Sequence, residues 1–313
     1  MSDFVFNYVC DEDSEGIRID KLLSELNSEL SRSYIKKLID SGEALVNNKI
    51  VKASFAPKTG DCISLNIPEC SMPDIAPENI PLDILYEDND VIVINKPKNM
   101  VVHPAPGNYS GTIVNALMYH CKDNLSGING VLRPGIVHRI DKDTTGVIMA
   151  AKNDTAHRSL AEQLKVHSIT RRYRAICFGS FKESEGTVDA PIGRNPQDRK
   201  KMAINKVNGK EAVTHYRVLA TSEKYKLTYI ECILETGRTH QIRVHMASIG
   251  HPLLGDTVYG GERKENLKIF GQTLQGQCLH AAVLGFIHPS TGEYMEFEAD
   301  LPDYFKDILT HII

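Results

Sequence analysis

The spacing of apolar residues near the start of the chain predicts two short helices followed by a β-hairpin. Apolar positions recur at helical spacing in residues 17–26 and again in residues 33–42, so that each helix has one face for a core. Residues 44–53 read ALVNNKIVKA. They predict a hairpin that turns at Asn47 and Asn48, because asparagine tolerates the left-handed backbone of tight turns.

The rest of the chain alternates strand patterns with a few helical ones. Residues 90–95, DVIVIN, predict a buried strand, and residues 112–121 and 154–167 carry helical patterns, the latter with Asp154 as the expected cap. Further strand patterns occur in residues 147–151 and in the segments RRYRAICFG, AVTHYRVLA, KLTYIECILE, LHAAVLGFIHP and EYMEFEADLP. Because many strands follow one another with few helices between them, we expect an α+β fold with a mixed, mainly antiparallel sheet flanked by helices.

Composition places the domain boundary in a proline-rich stretch. The sequence PECSMPDIAPENIP contains prolines that interrupt both helices and sheets. The residues before this stretch begin with an acidic, unpatterned segment. We therefore expect a flexible tail over residues 1–16, a small domain over residues 17–68, a linker over residues 69–80 and a larger domain over residues 81–313.

The composition is that of an ordinary folded protein. Of the 313 residues, 42% are hydrophobic and 24% are charged, which excludes a disordered or fibrous chain. The seven cysteines are an odd number and include no Cys-x-x-Cys pair, so neither a disulfide framework nor a structural zinc site is expected. No basic segment leads into an apolar run and no stretch is long enough to span a bilayer, so we expect a cytoplasmic protein. No additional apolar face stands out, and we expect a monomer.

Basic residues are concentrated in a few places, although the formal net charge is -4. A protein that binds phosphates needs a concentrated positive face rather than a positive total. The clusters are Arg32, Lys36 and Lys37 on the second helix, Arg171, Arg172 and Arg174 in a strand pattern, and Arg199, Lys200, Lys201, Lys206 and Lys210 in a segment without acids. Each cluster is either an anion-binding face or a solvated surface, and spacing alone does not decide between them.

The segment GIVHRIDKDTTGVIMAAK, residues 135–152, is the most distinctive in the chain. Asp141 lies between Arg139 and Lys142 in a polar loop that leads into a buried strand. Such a loop can hold a carboxylate rigidly at the edge of a cleft. A calcium loop is excluded, because its twelfth position would be Lys152.

Two other interpretations of this loop remain open from the residues alone. Asp141 and Asp143 could be a pair of glycosidase carboxylates, although residues two apart need not face one site. The loop could also be a structural turn held by Asp and Thr side chains.

A second segment, residues 234–260, concentrates histidines and arginines. The pattern over residues 239–249 is helical, and His240 and Arg243 share a face of that helix because they are three residues apart. Arg243 could therefore point at a carboxylate in a neighbouring loop. A zinc site is disfavoured, because His240 and His245 are five apart and no accompanying acid pattern is present.

Tyr173 lies in a strand pattern that is otherwise apolar and basic. A tyrosine in this setting either packs in the core or stacks on an unpaired base beside the basic cluster. Sequence spacing is compatible with both.

Together these segments resemble the RluA-type pseudouridine synthases, in the branch that carries an N-terminal S4 RNA-binding module and acts on large-subunit ribosomal RNA. Residues 17–68 are similar to the S4 module through RIDKLL, SRSYIKKLIDSGEALVN and KTGD. The larger domain is similar to the catalytic domain through EDNDVIVINKPKNMVVHPAPGN with GTIVNAL, HRIDKDTTGVIMAAK, RRYRAICFG, TGRTHQIRVHMASIGHPLLGDTVYG and LHAAVLGFIHPSTGE. The resemblance covers nearly the whole chain, and several blocks in the same order are more specific than any single motif.

The resemblance implies roles for individual residues. Asp141 matches the essential aspartate of the family, and Arg139 matches an arginine that helps to displace the target base from its stack. Tyr173 matches the active-site tyrosine that packs against the uracil and takes part in proton removal from C5, and Arg243 matches the basic residue that pairs with the aspartate. The basic face of the second helix, with Arg32, Lys36 and Lys37, and the segment Arg199, Lys200 and Lys201 would bind RNA.

The reaction that the resemblance implies converts uridine to pseudouridine without a cofactor or a metal. The N1–C1′ bond breaks, the uracil turns and C5 joins C1′, with no redox change. Ile140 and Thr145 stand where the family more often has Leu and Ser, and neither change removes a needed group. Transfer RNA stays open as an alternative substrate. The alternative functions are a noncatalytic RNA-binding ribosome-assembly factor and a hydrolase, which would release free uracil and tolerate Tyr173→Phe.

Overall fold

The computed structural model describes residues 4–27, 30, 32–67, 75–104, 108–122, 124–128, 134–198, 201–260 and 267–313. The chain divides into two compact units, Met1–Ser71 and Met72–Ile313. Each unit has its own hydrophobic core. No helix in the described ranges has both the length and the apolar character needed to cross a bilayer.

The first unit packs two helices against a four-stranded antiparallel sheet. Its elements are β1 (Phe4–Val9), α1 (Ile19–Leu26), α2 (Arg32–Asp40), β2 (Ala44–Val46), β3 (Lys49–Ile50) and β4 (Cys62–Ile67), and the strand order is β1-β4-β2-β3. Ile19, Leu23 and Ile35 carry the helical stripes into the core, where they are buried. The predicted hairpin is confirmed, since Asn47 and Asn48 join β2 to β3 with φ of 49° and 61°.

The flexible tail expected over residues 1–16 is corrected by the structure. β1 pairs antiparallel with β4 along its whole length. Phe6 and Tyr8 pack against the core of the first unit, while Val5 and Val9 are exposed on the other face. The partner strand lies far along the chain, so the local pattern could not reveal this pairing.

The second unit is built on a nine-stranded sheet. Its strands are β5 (Ile84–Glu87), β6 (Val91–Lys96), β7 (Thr145–Ala151), β8 (Thr170–Phe178), β9 (Glu185–Asp189), β12 (Val213–Ser222), β13 (Leu227–Leu234), β16 (Leu279–Ile287) and β17 (Tyr294–Glu298). They run in the order β5-β6-β7-β16-β8-β13-β12-β9, and β17 pairs with β16. β7 and β16 are parallel and the other described pairings are antiparallel. The expected α+β fold with a mixed, mainly antiparallel sheet is confirmed.

Helices and two small hairpins complete the described part of the second unit. These elements are α3 (Ile113–Cys121), α4 (Asp154–Lys165), α5 (Gln241–Ser248), α6 (Asp303–Leu309) and the hairpin strands β10 (Ile192–Arg194), β11 (Met202–Ile204), β14 (Leu267–Ile269) and β15 (Gln272–Leu274). The helices expected over residues 112–121, 154–167 and 239–249 are present. The cap of α4 is corrected: Asn153 accepts the Ala156 N–H at 2.9 Å, whereas Asp154 accepts from the Ser126 hydroxyl at 2.7 Å.

Part of the predicted linker packs against α3. Residues 69–74 lie outside the described residues. Beyond them, Ile75 is buried in a core that includes α3. The Glu78 N–H donates to the Asn115 carbonyl at 3.0 Å, and Asn115 Nδ2 donates to the Ala76 carbonyl at 2.9 Å. This half of the linker is therefore held by the second unit.

The parallel pairing lies where β7 begins, directly after the loop that contains Asp141. Thr145 and Gly146 are opposite His280 and Ala281 of β16, and the Thr145 hydroxyl is 2.8 Å from His280 Nδ1. A Cβ on Gly146 would collide with the Ala281 backbone, so only glycine allows this close approach. The start of β7, and the loop that leads into it, are thereby fixed at the centre of the sheet.

Candidate active site

Asp141 lies in a loop that main-chain contacts hold in place. The Asp141 carbonyl accepts a hydrogen bond from the Thr144 N–H at 3.1 Å. The next carbonyl, of Lys142, accepts one from Nζ of the fully buried Lys96 at 3.0 Å. Burial lowers the pKa of Lys96 to about 7, although the charges of Asp143 and Asp141 oppose this shift. The loop is thus held by Lys96 as well as by β7.

Arg243 connects Asp141 to a second, fully buried carboxylate. Its Nη1 donates to Asp141 Oδ2 at 2.8 Å, so the predicted contact with a carboxylate in a neighbouring loop is present. Its Nε and Nη2 donate to Asp256 at 2.7 Å and 3.0 Å. The Asp256 side chain is 0% exposed, whereas that of Asp141 is 18% exposed and reaches a cavity. The bidentate contact fixes the guanidinium with Nη1 directed at Asp141.

The two carboxylates keep the arginine charged. Burial by itself would lower the pKa of Arg243, but the hydrogen bonds and charges of Asp256 and Asp141 outweigh burial and raise the pKa above its ordinary value. Asp141 therefore faces a permanent positive charge in a mostly water-excluded setting, where such an interaction is stronger than in water.

His240 is a second neighbour of the Asp141 carboxylate. Its Nε2 lies 3.7 Å from Asp141 Oδ1, and its Nδ1 lies 2.6 Å from the Tyr259 hydroxyl. Because that hydroxyl accepts from the Met202 N–H at 3.0 Å, its own proton is free for Nδ1, which favours the tautomer with a proton on Nε2 towards Asp141. Burial lowers the pKa of His240 although the charge of Asp141 opposes this, so the ring is neutral at neutral pH.

Tyr173 and Asp141 line the same cavity, whose volume is about 360 Å³. This volume is within the range of small-ligand pockets. Tyr173 projects from β8 and is 9% exposed. Burial raises the pKa of Tyr173; the charge of Arg171 opposes this shift and that of Asp141 adds to it, so the phenol is protonated at neutral pH. The cavity offers an aromatic ring and a carboxylate together.

Arg139 lies at the mouth of the same cavity. It is exposed, it lines the cavity together with Asp141, and its Nη1 lies 3.5 Å from His103 Nε2. A smaller adjoining pocket is lined by Arg139, Asp141, Tyr173 and Arg243. The structure thus brings together the four residues that the sequence analysis placed in one site.

The glycosidase interpretation of the Asp141 loop is not supported by the geometry. Asp143 does not line either pocket that Asp141 lines, and its side chain lies against Gly276 instead. In the described residues the two carboxylates therefore do not face one cavity.

His240, directly before α5, and His245 of α5 contact different groups within the described part of the chain. Both ring nitrogens of His245 are engaged, by the Thr214 hydroxyl at 2.9 Å and by the Ala190 carbonyl at 3.0 Å. His240 contacts Tyr259 and Asp141 instead.

One cluster elsewhere in the second unit has metal-ligand residue types. Asp88, Asp90 and His288 place ligand atoms within 4.8 Å of one another. The carboxylate of Asp88 is already bonded, however, because it accepts from the N–H groups of Asp90 and Val91 and lies 2.8 Å from His288 Nε2. These bonds tie two turns of the sheet together.

The predicted basic face of α2 is partly engaged within the first unit. Nη2 of Arg32 donates to Asp20 Oδ2 at 2.8 Å. Lys36 and Lys37 are exposed on the helix surface. The exposed positive charge of this face is therefore carried mainly by the two lysines.

The second predicted basic segment is described only in part. Arg199 and Lys200 lie outside the described residues. Lys201 is exposed to a similar degree as its neighbour Asp198, whose Oδ2 lies 3.8 Å from Lys201 Nζ. This segment leads into β11, whose first residue contacts Tyr259.

Asp256 and Tyr259 were not predicted as site residues from the sequence. Both lie in GDTVYG, at the end of the segment that contains His240 and Arg243. A glycine-bounded turn after a helix can return the chain to the face of that helix. An acid in such a turn was the available signal for a partner of Arg243.

Comparison with protein families gives two matches on this chain. A family described as RNA pseudouridylate synthase matches residues 90–248, which is about half of the chain. A family described as S4 domain matches residues 17–63.

Individual proteins match over nearly the whole length. The chain is 50% identical over 301 residues to "Uncharacterized RNA pseudouridine synthase YlyB" of Bacillus subtilis (strain 168), covering 96% of each chain. It is 50% identical over 297 residues to "Ribosomal large subunit pseudouridine synthase D" of Zymomonas mobilis, covering 93% of this chain and 92% of the relative. Among solved structures, "Human RNA Pseudouridylate Synthase Domain Containing 1" matches with a TM-score of 0.56 and 27% identity, over 72% of this chain and 85% of that one.

Proposed function

This chain belongs to the RNA pseudouridylate synthase family and carries an S4 domain, and from that premise we propose that it isomerises selected uridines in large-subunit (23S) ribosomal RNA. The ion-pair arrangement of Asp141, Arg243 and Asp256 at a cavity of nucleoside size is the observation that carries the proposal. Relatives named for the large ribosomal subunit, at 40–50% identity over most of the chain, support the choice of RNA.

We assign Asp141 as the catalytic carboxylate. Glycosidic isomerisation breaks the N1–C1′ bond, forms a C5–C1′ bond, moves the C5 proton away and returns a proton to N1. A carboxylate can serve as nucleophile or base in such a sequence if it is held at the reacting carbon and its charge is stabilised. Arg243 donates to one oxygen of Asp141 at 2.8 Å, which orients the carboxylate, and His240 Nε2 lies 3.7 Å from the other oxygen.

Displacement of the target base is assigned to Arg139 and Tyr173. A nucleotide must leave its stack to enter the cavity, at a cost of a few kcal/mol. Arg139 is a long cationic side chain at the cavity mouth and can fill the vacated position in the RNA. The Tyr173 ring, buried beside Asp141, can pack against the uracil and offset part of the cost.

The S4 domain supplies a second contact with the RNA. Lys36 and Lys37 are exposed on α2 and can bind phosphates that lie away from the target uridine. The segment from Arg199 to Lys201 is a further candidate contact. We propose that the protein works as a monomer in the cytoplasm, where ribosomal RNA is modified.

Mapping of pseudouridines tests this proposal. Total RNA from cells that lack the protein should have lost pseudouridine at specific large-subunit sites. The native chain should restore those sites, and Asp141→Asn should not restore them although it still binds the RNA. If no ribosomal site changes, the proposed substrate is wrong; if Asp141→Asn restores the sites, the assignment of Asp141 is wrong and a noncatalytic role of this residue is indicated.

A further inference from the structure

Arg171 enters the same cavity as Tyr173 but has no part in the mechanism proposed for Asp141. The two residues are two apart on β8, so their side chains point to the same face of the sheet, roughly 7 Å apart along the strand. Both line the cavity that contains Asp141. Arg172 and Arg174 point to the opposite face, where they pair with Glu296 and Glu231.

Among the residues that the structure describes, no carboxylate pairs with the buried charge of Arg171. The residue is only 7% exposed. Within the described residues, its side chain makes one hydrogen bond, from Nη2 to the Glu235 carbonyl at 2.9 Å, and its Nε is buried with no partner. Burial lowers the pKa of Arg171; Tyr173 opposes this shift, and the positive charge of Arg238 adds to it.

A buried guanidinium in this state is costly to the free protein. Arg243 shows the usual solution, because two carboxylates surround it. An uncompensated buried charge destabilises a fold unless a ligand completes it. Residues that break this rule are expected at functional sites.

The residues around Arg171 add positive charge to the cavity and leave space for its guanidinium. Arg238 lines the same cavity, and its Nε donates to the Glu211 carbonyl at 2.8 Å. A Cβ on Gly237 would lie 2.5 Å from Arg171 Nη1, so a larger residue there would displace the guanidinium. His138, on the same wall, adds no charge, because burial and the charge of Arg171 lower its pKa to about 3.

We propose that Arg171 and Arg238 form an anion subsite inside the cavity and that this subsite binds a phosphodiester next to the target uridine. The guanidinium fork matches phosphate oxygens and can form paired hydrogen bonds with them. Asp141 lines the same cavity and would repel an anion, so the two charges orient the nucleotide with its base and sugar towards Asp141 and its phosphate towards Arg171. The inference rests on the proposed RNA substrate and adds a specific contact to it.

A small probe tests the subsite whichever uridine of the RNA is the target. Binding of uridine 3′,5′-bisphosphate, of each uridine monophosphate and of uridine is measured by calorimetry or NMR titration. The native protein should bind the bisphosphate about tenfold or more tightly than uridine, since a charge-assisted pair contributes about one such factor. Arg171→Met should remove this preference, and Arg172→Met, the matched control on the opposite face of β8, should keep it. The two monophosphates distinguish which phosphate is bound, and inorganic phosphate alone distinguishes a general anion site.

Two results would overturn the inference. One is an equal affinity of the native protein for uridine and its bisphosphate; the other is an equal phosphate preference in the native protein and in Arg171→Met.

With transcribed large-subunit RNA, the slope of log affinity against log salt should fall by about 1 in Arg171→Met. If Arg171→Met does not fold, Arg171→Lys is measured in its place. An unchanged affinity of that variant for the bisphosphate would contradict paired hydrogen bonds from the Arg171 guanidinium. Failure of the subsite leaves pseudouridine mapping positive, whereas failure of the proposed substrate appears only in the mapping.

A structural role and a binding role of Arg171 predict opposite changes in the melting temperature of Arg171→Met. If the residue mainly supports the fold, Arg171→Met should melt several degrees below the native protein. If it is held for a ligand, removal of its uncompensated charge should leave the melting temperature equal or higher. Addition of uridine 3′,5′-bisphosphate should then raise the melting temperature of the native protein and not that of the variant.

Discussion

Both carboxylate oxygens of Asp256 accept hydrogen bonds from the guanidinium of Arg243, from Nε at 2.7 Å and from Nη2 at 3.0 Å. The same Asp256 oxygen Oδ1 also accepts the N–H groups of Val258 and Tyr259, at 2.9 Å and 3.2 Å. The carboxylate is thereby fixed by its own turn, and Arg243 cannot rotate without breaking both contacts. Asp141 receives an arginine whose direction is already determined.

Asp256→Asn tests this arrangement. The amide keeps one acceptor oxygen but loses the charge, so Arg243 remains buried with incomplete compensation. We expect the free energy of unfolding to fall by about 3 kcal/mol and kcat to fall at least about 100-fold, as expected when one partner of a buried pair is removed. Urea unfolding and single-turnover assays measure the two effects. Asp143→Asn, on the catalytic loop but outside the cavity, is the control and should keep kcat within a few-fold of native; a native rate in Asp256→Asn would contradict the arrangement.

Tyr173→Phe separates the synthase from a hydrolase. The phenyl ring still packs in the cavity, so RNA affinity should change little. Loss of the hydroxyl should lower kcat by about 100-fold, the lower end of the range for positioned proton-transfer groups. The product should be pseudouridine alone, measured by chromatography of digested RNA. Release of free uracil at a native rate would indicate hydrolysis instead.

Tyr259→Phe tests whether the tyrosine positions His240. The variant keeps the ring that lies 5.0 Å from the Arg243 guanidinium but loses the bonds to His240 Nδ1 and the Met202 N–H. Each bond contributes roughly 1 kcal/mol, so we expect kcat to fall about tenfold with KM nearly unchanged. The pH profile of kcat should shift as well, because the His240 tautomer is no longer fixed. A change in stability with an unchanged pH profile would assign Tyr259 a purely structural role.

Charge reversal on α2 tests the S4 contact. Lys36→Glu or Lys37→Glu should weaken binding of large-subunit RNA and lower the slope of log affinity against log salt by about 1 or more, with kcat at saturating RNA unchanged. Lys21→Glu on α1 makes the same change in net charge and should have a smaller effect. Equal effects of all three variants, or none, would remove the α2 face from the proposed interface.

The first unit should lose stability in acid through Asp20. Asp20 is buried, and although burial tends to raise its pKa, hydrogen bonds from Arg18 and Arg32 and their charges lower it below the ordinary value of 3.8. A depressed carboxylate pKa stabilises the folded state above its ordinary value, and this contribution disappears as the pH falls through the folded pKa. The protection of the α1 amides against hydrogen exchange, relative to the unfolded chain at the same pH, should therefore fall below about pH 4. Asp20→Asn should exchange faster at pH 6 and show a flatter dependence; an unchanged acid profile would exclude Asp20 as the cause.

Much of the fold follows from local spacing, and what was missed depends on distant partners. The helical stripes and the turn at Asn47 and Asn48 are local properties, and both were predicted. β1 was missed because its pairing with β4 is set by residues far along the chain. The cap of α4 was assigned to Asp154 instead of Asn153, since either residue type can cap and only the backbone geometry at Asn153 decides.

The site shows the same division. Helical spacing indicated that Arg243 could reach a carboxylate, and the family resemblance pointed to Asp141. The sequence could not show that Asp256 binds Nε and Nη2 of Arg243, because that contact depends on the path of the turn after α5. Nor could it distinguish Arg171 from its neighbours in a basic cluster, since only the strand direction separates the side chain in the cavity from those that pair with acids.

The position of β16 has a consequence for biosynthesis. β16 is made near the end of the chain, yet it lies between β7 and β8 and joins the two halves of the sheet. During translation, β8 and β13 can pair while β7 still lacks the neighbour that fixes its start beside the Asp141 loop. We therefore expect the nascent enzyme to be inactive until β16 has left the ribosome, and a truncation before Leu279 should yield a protein that retains an S4 domain but has no working catalytic centre.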